Sequence, residues 1–521
     1  MNPGSYFTKL PKHVCLLILL AAILRLGWGL SRPSSAESLQ ALPDQVEYLS
    51  LAQNLIHGQG FSFIDPRFND RVYAFRTPGY PMVLAACGAN VQVVRTMQAL
   101  LDTSTVLAVF LLARRMLPDE RTRPFIAAVI VAFNPLLIYF SGLLLSETLF
   151  VAMLTWGMLL TLAGFAAAEP DERNAEQTRS GKRSPQNDRA RFRAWGLVGS
   201  AVRLGIYWRA VVLDRLFRGR KSVRRELGNF SWHRASARCP TAVFGTKTPP
   251  GRAVPRKIPK PTADPTRTAR GYFVALTGGV ILALAVLVRP SAAFLPLLLG
   301  IGAVVANRRQ ATAYQLFPKP RMFARRLLLA GATMCLLVAL VLTPWALRNV
   351  RALHHLIWTD TNAGFTLYDG YNANATGASD QSFIKEMPIL RTLDEFGRSK
   401  YLADRARDFA AANPLRVLKL IVIKAARTWS PMPLSGQFGG TLYRAALLSY
   451  SAPFDLLVLW GLWKGNLKRS SKVFLLLPAI YLTAVHAMTI GSLRYRVPAE
   501  PALAVLAACA WDWTRRPTAR A

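Results

Sequence analysis

The sequence predicts an all-α polytopic membrane protein. Its 521 residues are 52% hydrophobic and have a mean hydropathy of +0.23, which is high for a soluble chain of this size. Apolar runs near the length needed to cross a bilayer recur along the chain. Strongly basic short segments separate several of them. These observations predict about 10 transmembrane helices, with outer-face loops and interfacial helices between them.

Ten apolar runs define the predicted spans. They cover residues 13–30, 93–113, 124–141, 147–167, 271–288, 291–306, 326–345, 443–463, 472–490 and 498–512. The first run could be mistaken for a cleaved signal peptide, because Lys9 and Lys12 precede its apolar core. Arg25 and Trp28 near its end, together with the many later spans, favour a retained anchor.

The basic residues predict the orientation, because cytoplasmic loops are enriched in Lys and Arg. An inside N-terminus places every strongly basic short loop in the cytoplasm. These loops contain Arg114, Arg115, Arg121, Arg123, Arg308, Arg309, Lys319, Arg321, Arg325, Arg326, Lys464, Lys468, Arg469 and Lys472, and the tail contains Arg515, Arg516 and Arg520. The stretch 415–430 must then not cross. Its regularly spaced charges predict a helix that lies in the outer interface.

Much of the formal charge of +37 lies in residues 168–270, where 24 Lys and Arg stand against 8 Asp and Glu. The composition predicts a basic, disordered cytoplasmic insertion that meets anionic lipid headgroups, and a segment with no function is the alternative. No nucleic-acid-binding module is recognisable in it. The predicted parts are 1–167, with a first outer loop at 31–92; the insertion 168–270; central helices at 271–348; an outer-face region with the interfacial helix at 349–442; and C-terminal helices with a short tail at 443–521.

The first outer loop is the most informative polar stretch. It contains Asp44, Glu47 and Tyr48, then a turn at Gly58 and Gly60, and later Arg76. A carboxylate beside hydrocarbon is costly unless it has a function. As a lone residue, Asp44 could equally cap the helix that follows it.

Other polar residues are predicted on the same face. They are Glu147 at the start of span four, Arg289 between spans five and six, Arg348 after span seven and Arg494 before span ten. Arginines with carboxylates suit a phosphate-bearing lipid held by Arg, with a carboxylate as base. The alternatives are arginines that extend to lipid headgroups and a glutamate that caps its helix. The five cysteines stand singly, and adjacent His354 and His355 lack carboxylates at ligand spacing.

These motifs occur in a familiar order. The first motif is Asp44-x-x-x-Tyr48-x-x-x-Ala-x-Asn54-Leu-x-x-Gly58-x-Gly60-Phe61. The motifs that follow it along the chain are Arg76-x-Pro78-x-Tyr80-Pro81, Asn134-Pro135, Ser146-Glu147-Thr-Leu-Phe, Arg289-Pro290, Pro344-Trp345-Ala-Leu-Arg348-Asn349, Thr361-Asn362-Ala-Gly364 and Arg494-Tyr495-Arg496-Val-Pro498. This order resembles bacterial polyprenyl-phosphate-sugar glycosyltransferases, related to protein O-mannosyltransferases and lipid A aminoarabinose transferases, with the C-type glycosyltransferase fold. The resemblance covers nearly the whole chain except 168–270.

The resemblance implies an inverting transfer of a sugar from a polyprenyl-phosphate carrier to an acceptor hydroxyl. Asp44 would be the catalytic residue and act as general base, with Glu47 as a second carboxylate. Substrate-binding candidates are Tyr48, Arg76, Tyr80, Glu147, Arg289, Arg348, Asn362, Arg494 and Arg496. The implied location is the bacterial inner membrane, with the site on the periplasmic face. The acceptor would be a glycan, lipid or protein, as in protein glycosylation or lipid A modification.

The motifs predict no certain cofactor, and they do not exclude a divalent metal. In the aminoarabinose transferases an acid and a lysine stand where this chain has Arg76 and Thr77, so no metal ligand is assigned. Two other classes of protein stay open. A polytopic transporter or lipid flippase would explain the spans, and a scaffold that binds anionic lipid through 168–270 would explain the charge. Neither explains why the polar motifs collect on one face.

Overall fold

The computed structural model describes residues 10–168, 265–308, 320–432, 434 and 440–514. In this part of the chain the structure is helical, with one two-stranded sheet. The insertion predicted over 168–270 lies outside the described residues except at its two ends. The same holds for the predicted basic tail.

The first half of the described chain contains eight helices and the sheet. Their bounds are α1 Lys12–Ser31, α2 Ala36–Gln40, α3 Pro43–Ile56, β1 Phe63–Asp65, β2 Asp70–Val72, α4 Gly79–Ala86, α5 Val91–Met116, α6 Thr122–Ala132, α7 Pro135–Ser141 and α8 Glu147–Ala167. Strands β1 and β2 pair antiparallel, with Phe63 opposite Val72. The predicted turn before β1 is confirmed, because Gly58 and Gly60 adopt φ of +73° and +82°.

The second half contains ten α-helices within the described ranges. They are α9 Pro265–Val288, α10 Leu295–Ala306, α11 Pro320–Leu353, α12 Asn362–Gly370, α13 Phe383–Glu386, α14 Glu395–Ala412, α15 Pro414–Thr428, α16 Thr441–Lys464, α17 Arg469–Ala487 and α18 Glu500–Ala508. Short 3₁₀ segments connect several of them, including Leu493–Tyr495 and Val497–Ala499 before α18.

By length and composition, seven helices in the described ranges can cross a membrane, or eight if the bent pair α6 and α7 counts as one span. The seven stretches are Lys12–Ser31, Val91–Met116, Glu147–Ala167, Thr268–Val288, Arg321–Leu353, Arg444–Lys464 and Arg469–Ala487. The chain is therefore a multi-pass membrane protein. The predicted spans 291–306 and 498–512 correspond to shorter helical segments, so the number of about ten stays a prediction.

The pair α6 and α7 is bent by 50°. Asn134 caps α7 by accepting hydrogen bonds from two backbone N–H groups, and Pro135 occupies the first helical position, where no N–H is needed. The last carbonyls of α6, on Val131 and Ala132, accept bonds of 3.0 and 2.8 Å from buried Arg25. The backbone groups freed by the break are thus satisfied inside an apolar bundle.

Glycines allow α8 and α9 to pack with their backbones nearly in contact. A Cβ on Gly164 would lie 2.2 Å from the backbone nitrogen of Ala275, and one on Gly278 would lie 2.5 Å from that of Thr161. Small residues at such crossings are the usual means of close helix association in a membrane. This contact holds the C-terminal part of α8, the helix that begins at Glu147, against α9.

The segments between the apolar helices have a core of their own, which we call the loop core. It includes Phe61, Phe63 and Phe75 from the first loop, Trp345 from α11 and Phe365 from α12. Their rings meet edge to face, for example Phe61 with Trp345 at a centroid distance of 5.0 Å. Aromatic burial thus joins the first loop to the region after α11.

Hydrogen bonds fix the same junction. The carboxylate of Glu395 accepts bonds from the backbone N–H groups of Tyr73 at 2.5 Å and Ala74 at 2.9 Å. It also accepts a bond of 2.6 Å from the Thr361 hydroxyl. Thr361 in turn donates its backbone N–H to the Ala74 carbonyl at 2.9 Å. The loop that carries Arg76 is therefore held against the start of α12.

Helix α15 forms where the interfacial helix is predicted. Leu415, Leu418 and Val422 share one face of it and are strongly exposed, while Lys424 on another face is buried. An exposed apolar stripe on a charged helix is typical of a segment at the membrane surface. Its position in the interface stays a prediction.

Candidate functional site

A cavity of about 1600 Å³ is lined both by the apolar helices and by the segments of the loop core. Its apolar lining comes largely from the bent pair α6 and α7, which we call the bent segment, and from the turn after α7. The residues include Phe133, Leu136, Ile138, Phe140, Leu143 and Leu145. Its polar lining includes Asp44, Glu47, Arg67, Arg76, Arg289, Asp360, Asn362, Arg427 and Arg494. The cavity is larger than a pocket for one small ligand, and it has both an apolar and a charged part.

Two carboxylates share one guanidinium at the first loop. Arg76 Nη2 lies 2.5 Å from Asp44 Oδ1, and Arg76 Nε donates to Glu47 Oε2 at 2.7 Å. Asp44 and Glu47 are one helical turn apart on α3, so both face Arg76. Asp44 does not cap α3: the N-cap is Leu42, and Asp44 lies in the first turn. The Asp44 side chain lines the cavity instead.

Arg494 joins this group to the start of α8. Its Nη1 donates to Asp44 Oδ2 at 3.1 Å, and its Nε donates to Glu147 Oε1 at 2.6 Å. Arg289 approaches the same Glu147 oxygen at 3.4 Å. Glu147 is fully buried, so these arginines supply the charge that a buried carboxylate requires. Three carboxylates and three arginines thus form one network, which we call the ion network: Asp44, Glu47, Arg76, Glu147, Arg289 and Arg494.

The surroundings shift the pKa values of the two α3 carboxyls, Asp44 and Glu47, in opposite directions. Burial raises the pKa of Asp44, but Arg76 and Arg494 together more than offset this, and the pKa lies well below its ordinary value. Burial also raises the pKa of Glu47. There Arg76 offsets it only in part, while the charge of Asp44 adds to it, so the net shift is upward. Asp44 is accordingly ionised across the neutral range and is a weak proton acceptor.

The two predicted tyrosines support the network. The rings of Tyr48 and Tyr80 meet edge to face at 5.0 Å, and the Arg76 guanidinium lies 5.4 Å from the centre of the Tyr48 ring. Tyr80 is fully buried and donates its hydroxyl proton to Gln98 at 2.6 Å. Tyr48 lines the cavity, whereas Tyr80 lies behind it.

Two predicted arginines lie in other networks. Arg348 donates to the carbonyls of Phe61 and Tyr73, the latter at 2.6 Å, and so supports the loop core. Arg496 is fully buried and binds Asp455 and Glu500. Neither is part of the cavity lining. Asn362 does line it, at the first residue of α12. The substrate-binding roles of these residues stay predictions.

Three charged residues of the lining were not predicted from the sequence: Arg67, Asp360 and Arg427. Arg427 belongs to the predicted interfacial helix, where its charge indicated only that the segment does not cross the membrane. Asp360 precedes Thr361 and Asn362 at the start of a helix, a position where an acid is usually a cap. The signal available for Asp360 was its place beside the Thr361-Asn362 motif.

The described residues contain no group of three or more His, Cys, Asp or Glu side chains placed to hold a metal ion. The two carboxylates of α3, Asp44 and Glu47, both accept hydrogen bonds from Arg76. Their arrangement is that of an ion pair with arginine and does not fit a set of metal ligands.

No protein-family model matches the chain, and no curated protein matches it. Among solved structures it is similar to the archaeal oligosaccharyltransferase AglB from Archaeoglobus fulgidus in complex with an inhibitory peptide and a dolichol-phosphate, at 13% identity and a TM-score of 0.47 over 96% of this chain. The apo form of the Archaeoglobus fulgidus oligosaccharyltransferase is similar at 14% identity and a TM-score of 0.45 over 95%. The chain spans about half the length of both, 50% in each case, and at these scores the likeness assigns no role to any residue.

Proposed function

We propose that the protein is an inverting glycosyltransferase that moves a sugar from a polyprenyl-phosphate carrier to an acceptor hydroxyl on the outer face of the membrane. One observation carries the proposal. Arg76 and Arg494 both contact Asp44 in a cavity that also has a large apolar lining. A donor of this class has an apolar tail, an anionic phosphate and a polar sugar, and the cavity offers a surface for each.

The apolar lining suits the lipid tail. The bent segment supplies it, and Phe133 at the bend is 46% exposed, so apolar surface continues from the cavity towards the outside of the helix bundle. A polyprenyl chain that follows this surface stays within hydrocarbon. Its phosphate would then reach the level of the ion network.

The arginines suit the phosphate. Each guanidinium has five N–H donors, and among the described residues Arg289 has a single carboxylate contact, at 3.4 Å. Within the same part of the chain Arg427 makes one hydrogen bond, of 3.3 Å, to the Gly491 carbonyl. Donors on these two residues are left for phosphate oxygens, and arginine binds such oxygens in pairs. Positive charge placed where the leaving phosphate gains negative charge lowers the barrier to transfer.

The reaction that fits this arrangement is a direct displacement. The acceptor oxygen forms a bond to the anomeric carbon while the bond from that carbon to the phosphate oxygen breaks. The electron pair leaves with the polyprenyl phosphate, and the acceptor proton passes to a carboxylate in the cavity wall. Asp44, ionised and held by two arginines, would orient the reacting groups.

The test uses purified full-length protein in liposomes with a panel of polyprenyl-phosphate sugars and candidate acceptors. Release of free polyprenyl phosphate is followed for the wild type, Asp44→Asn and the control Asp404→Asn, which alters an exposed surface pair. We expect release by the wild type and the control, and none by a folded Asp44→Asn. Undiminished release by Asp44→Asn would contradict the proposed role of the ion network. Movement of intact donor between leaflets without release would favour the transporter class.

A further inference from the structure

Asp360 lies in the cavity wall on a short segment between α11 and α12. The residues on both sides of it are fixed. The Trp345 indole N–H donates to the Thr359 carbonyl at 2.6 Å, and Thr361 is bound through its backbone to Ala74 and through its hydroxyl to Glu395. The backbone at Asp360 is therefore held rigidly while the carboxylate faces the cavity.

In the part of the chain that the structure describes, Asp360 has no ion pair, unlike three acids of the ion network. Asp44, Glu47 and Glu147 each have an arginine nitrogen within 4.0 Å, and among the described residues no ion pair at that distance includes Asp360. Its polar partners are the backbone N–H groups of Asn362 and Ala363. The oxygens of Asp360 are thus less engaged by positive charge than those of the other acids.

We propose that Asp360 is the catalytic carboxylate that receives the proton of the acceptor hydroxyl. This inference rests on the proposed function and identifies the base in that same site. As the acceptor oxygen bonds to the anomeric carbon, its O–H bond breaks and the proton forms a bond to an Asp360 oxygen. The proton returns to solvent after the polyprenyl phosphate has left. Asp44 keeps the arginines and the reacting groups in position.

The acidity of the groups supports this division of roles. Burial raises the pKa of Asp360 to about 6, and Arg76 and the N–H groups of Asn362 and Ala363 offset burial only in part, while the charge of Glu395 acts in the same direction as burial. A base whose pKa lies near the working pH combines ionisation with affinity for a proton. The pKa of Asp44 lies well below its ordinary value, so Asp44 meets only the first condition.

The segment that carries Asp360 also suits an acceptor site. It begins after the long helix α11 and leads into helices α12 to α15, which lie outside the candidate spans. An acceptor that arrives from this side would meet Asp360, whereas the donor tail follows the bent segment within the bundle. The two substrates would then approach the ion network from different parts of the cavity.

The experiment compares the wild type, Asp360→Asn, Asp360→Glu and the control Asp404→Asn between pH 5 and 9, with a donor and an acceptor that the wild type uses. We expect the rate of the wild type to fall about tenfold per pH unit below about pH 6. Asp360→Asn should be at least about a hundredfold slower at pH 7.5 and lack that limb, since general-base catalysis contributes about 10²–10⁴-fold. Asp360→Glu should restore part of the rate.

Melting temperature supplies a readout that separates a catalytic from a structural role. A carboxyl whose pKa is higher in the folded state than in the unfolded state destabilises the fold when it is ionised, as Asp360 is above about pH 6. Asp360→Asn should therefore melt at or above the temperature of the wild type at pH 7.5. A slower variant that also melts lower would overturn the proposal, because the substitution would have damaged the loop.

Two further outcomes are decisive. If Asp360→Asn retains a rate within threefold of the wild type, or keeps the acid limb of the pH profile, Asp360 is not the base. Loss of the limb in Glu47→Gln instead would assign the proton to Glu47. If the wild type releases no polyprenyl phosphate with any donor and acceptor, the proposed function itself fails, which is distinct from failure of Asp360 in an active enzyme.

Discussion

Arg494 and Glu147 are 347 positions apart in the chain, yet their side chains form a hydrogen bond of 2.6 Å. The same guanidinium reaches Asp44, a further 103 positions towards the N-terminus from Glu147, at 3.1 Å. The segment before α18 thereby joins the first loop to the start of α8. Arg494 is the residue through which three distant parts of the chain meet at the cavity.

Arg494 should be essential for transfer. Arg494→Gln removes the charge between Asp44 and Glu147, and we expect release of polyprenyl phosphate to fall at least about a hundredfold, the usual effect of removing one transition-state donor. Arg494→Lys should recover little, because a point charge cannot bridge two carboxylates as a guanidinium does. Initial rates in liposomes measure both effects. Arg391→Gln, at an exposed arginine of the loop segments, is the control, and full activity of Arg494→Lys would contradict the bridging role.

The pair of Arg25 and Asp102 should dominate the stability of the first helices. Both side chains are essentially fully buried, and Arg25 Nε lies 2.5 Å from Asp102 Oδ2. Asp102→Ala leaves a buried guanidinium without its counter-charge, so we expect a loss of about 3–5 kcal/mol. Unfolding in mixed detergent micelles measures it, with Leu100→Ala, at an exposed position of the same helix, as the control.

The double variant Arg25→Leu, Asp102→Leu tests the reason. It removes both charges but also the bonds from Arg25 to the carbonyls of Val131 and Ala132. It should therefore recover only part of the lost stability. Complete recovery would show that the carbonyl bonds at the helix bend contribute nothing measurable.

The contact between α8 and α9 should not tolerate a methyl group. Gly164→Ala would place a Cβ 2.2 Å from the backbone nitrogen of Ala275, so the helices must separate. We expect a lower melting temperature and lower transfer activity, since Glu147 lies on the displaced helix. Gly27→Ala is the matched control, because a Cβ there meets nothing within 4 Å and alanine favours a helix. Equal melting temperatures for the two variants would contradict the packing argument.

Lys424 should make stability depend on pH in the alkaline range. Its side chain is buried above the ring of Tyr371 at 3.6 Å, and its Nζ has no hydrogen-bond partner among the described residues. Burial lowers the pKa of Lys424 to about 8, with Asp369 offsetting this only in part. Because the unfolded chain holds this proton more tightly, stability should rise as pH increases from about 8 towards 10.

The variant Lys424→Met isolates that effect. It should melt above the wild type at pH 7, where the buried ammonium is charged, and the difference should shrink by pH 10. Lys419→Met, at an exposed position of the same helix, should change the melting temperature little at either pH. A destabilised Lys424→Met at pH 7 would mean that the contact with Tyr371 outweighs the burial of the charge.

Much of the architecture was accessible from sequence because its causes are local. Runs of apolar residues predict membrane helices whatever their neighbours are. The break at Asn134-Pro135 inside the predicted span 124–141 was not predicted and is seen only in the structure. The turn at Gly58 and Gly60 follows from their tolerance of positive φ. The order of polar motifs likewise indicated candidate site residues, although it could not specify their partners.

Only the tertiary structure shows which groups each arginine contacts. Arg348, Arg494 and Arg496 looked alike as arginines near the ends of predicted spans, yet only Arg494 faces the cavity. Arg348 donates hydrogen bonds to carbonyls of the loop core, and Arg496 forms ion pairs with Asp455 and Glu500. Whether an arginine serves a ligand or the fold depends on which carboxylates and carbonyls lie within about 3 Å, and sequence spacing does not fix that distance.

The sequence by itself determined that this chain enters a membrane repeatedly and that its polar motifs have carboxylates and arginines in a fixed order. Hydrophobicity and helix signals act over one or two turns, so they can be read along the chain. Only the tertiary structure decided that Asp44 is paired twice while Asp360 has no ion pair among the described residues. The acidity of a buried carboxyl depends on the charges around it in space, and some of those charges, such as that of Arg494 beside Asp44, come from residues hundreds of positions away.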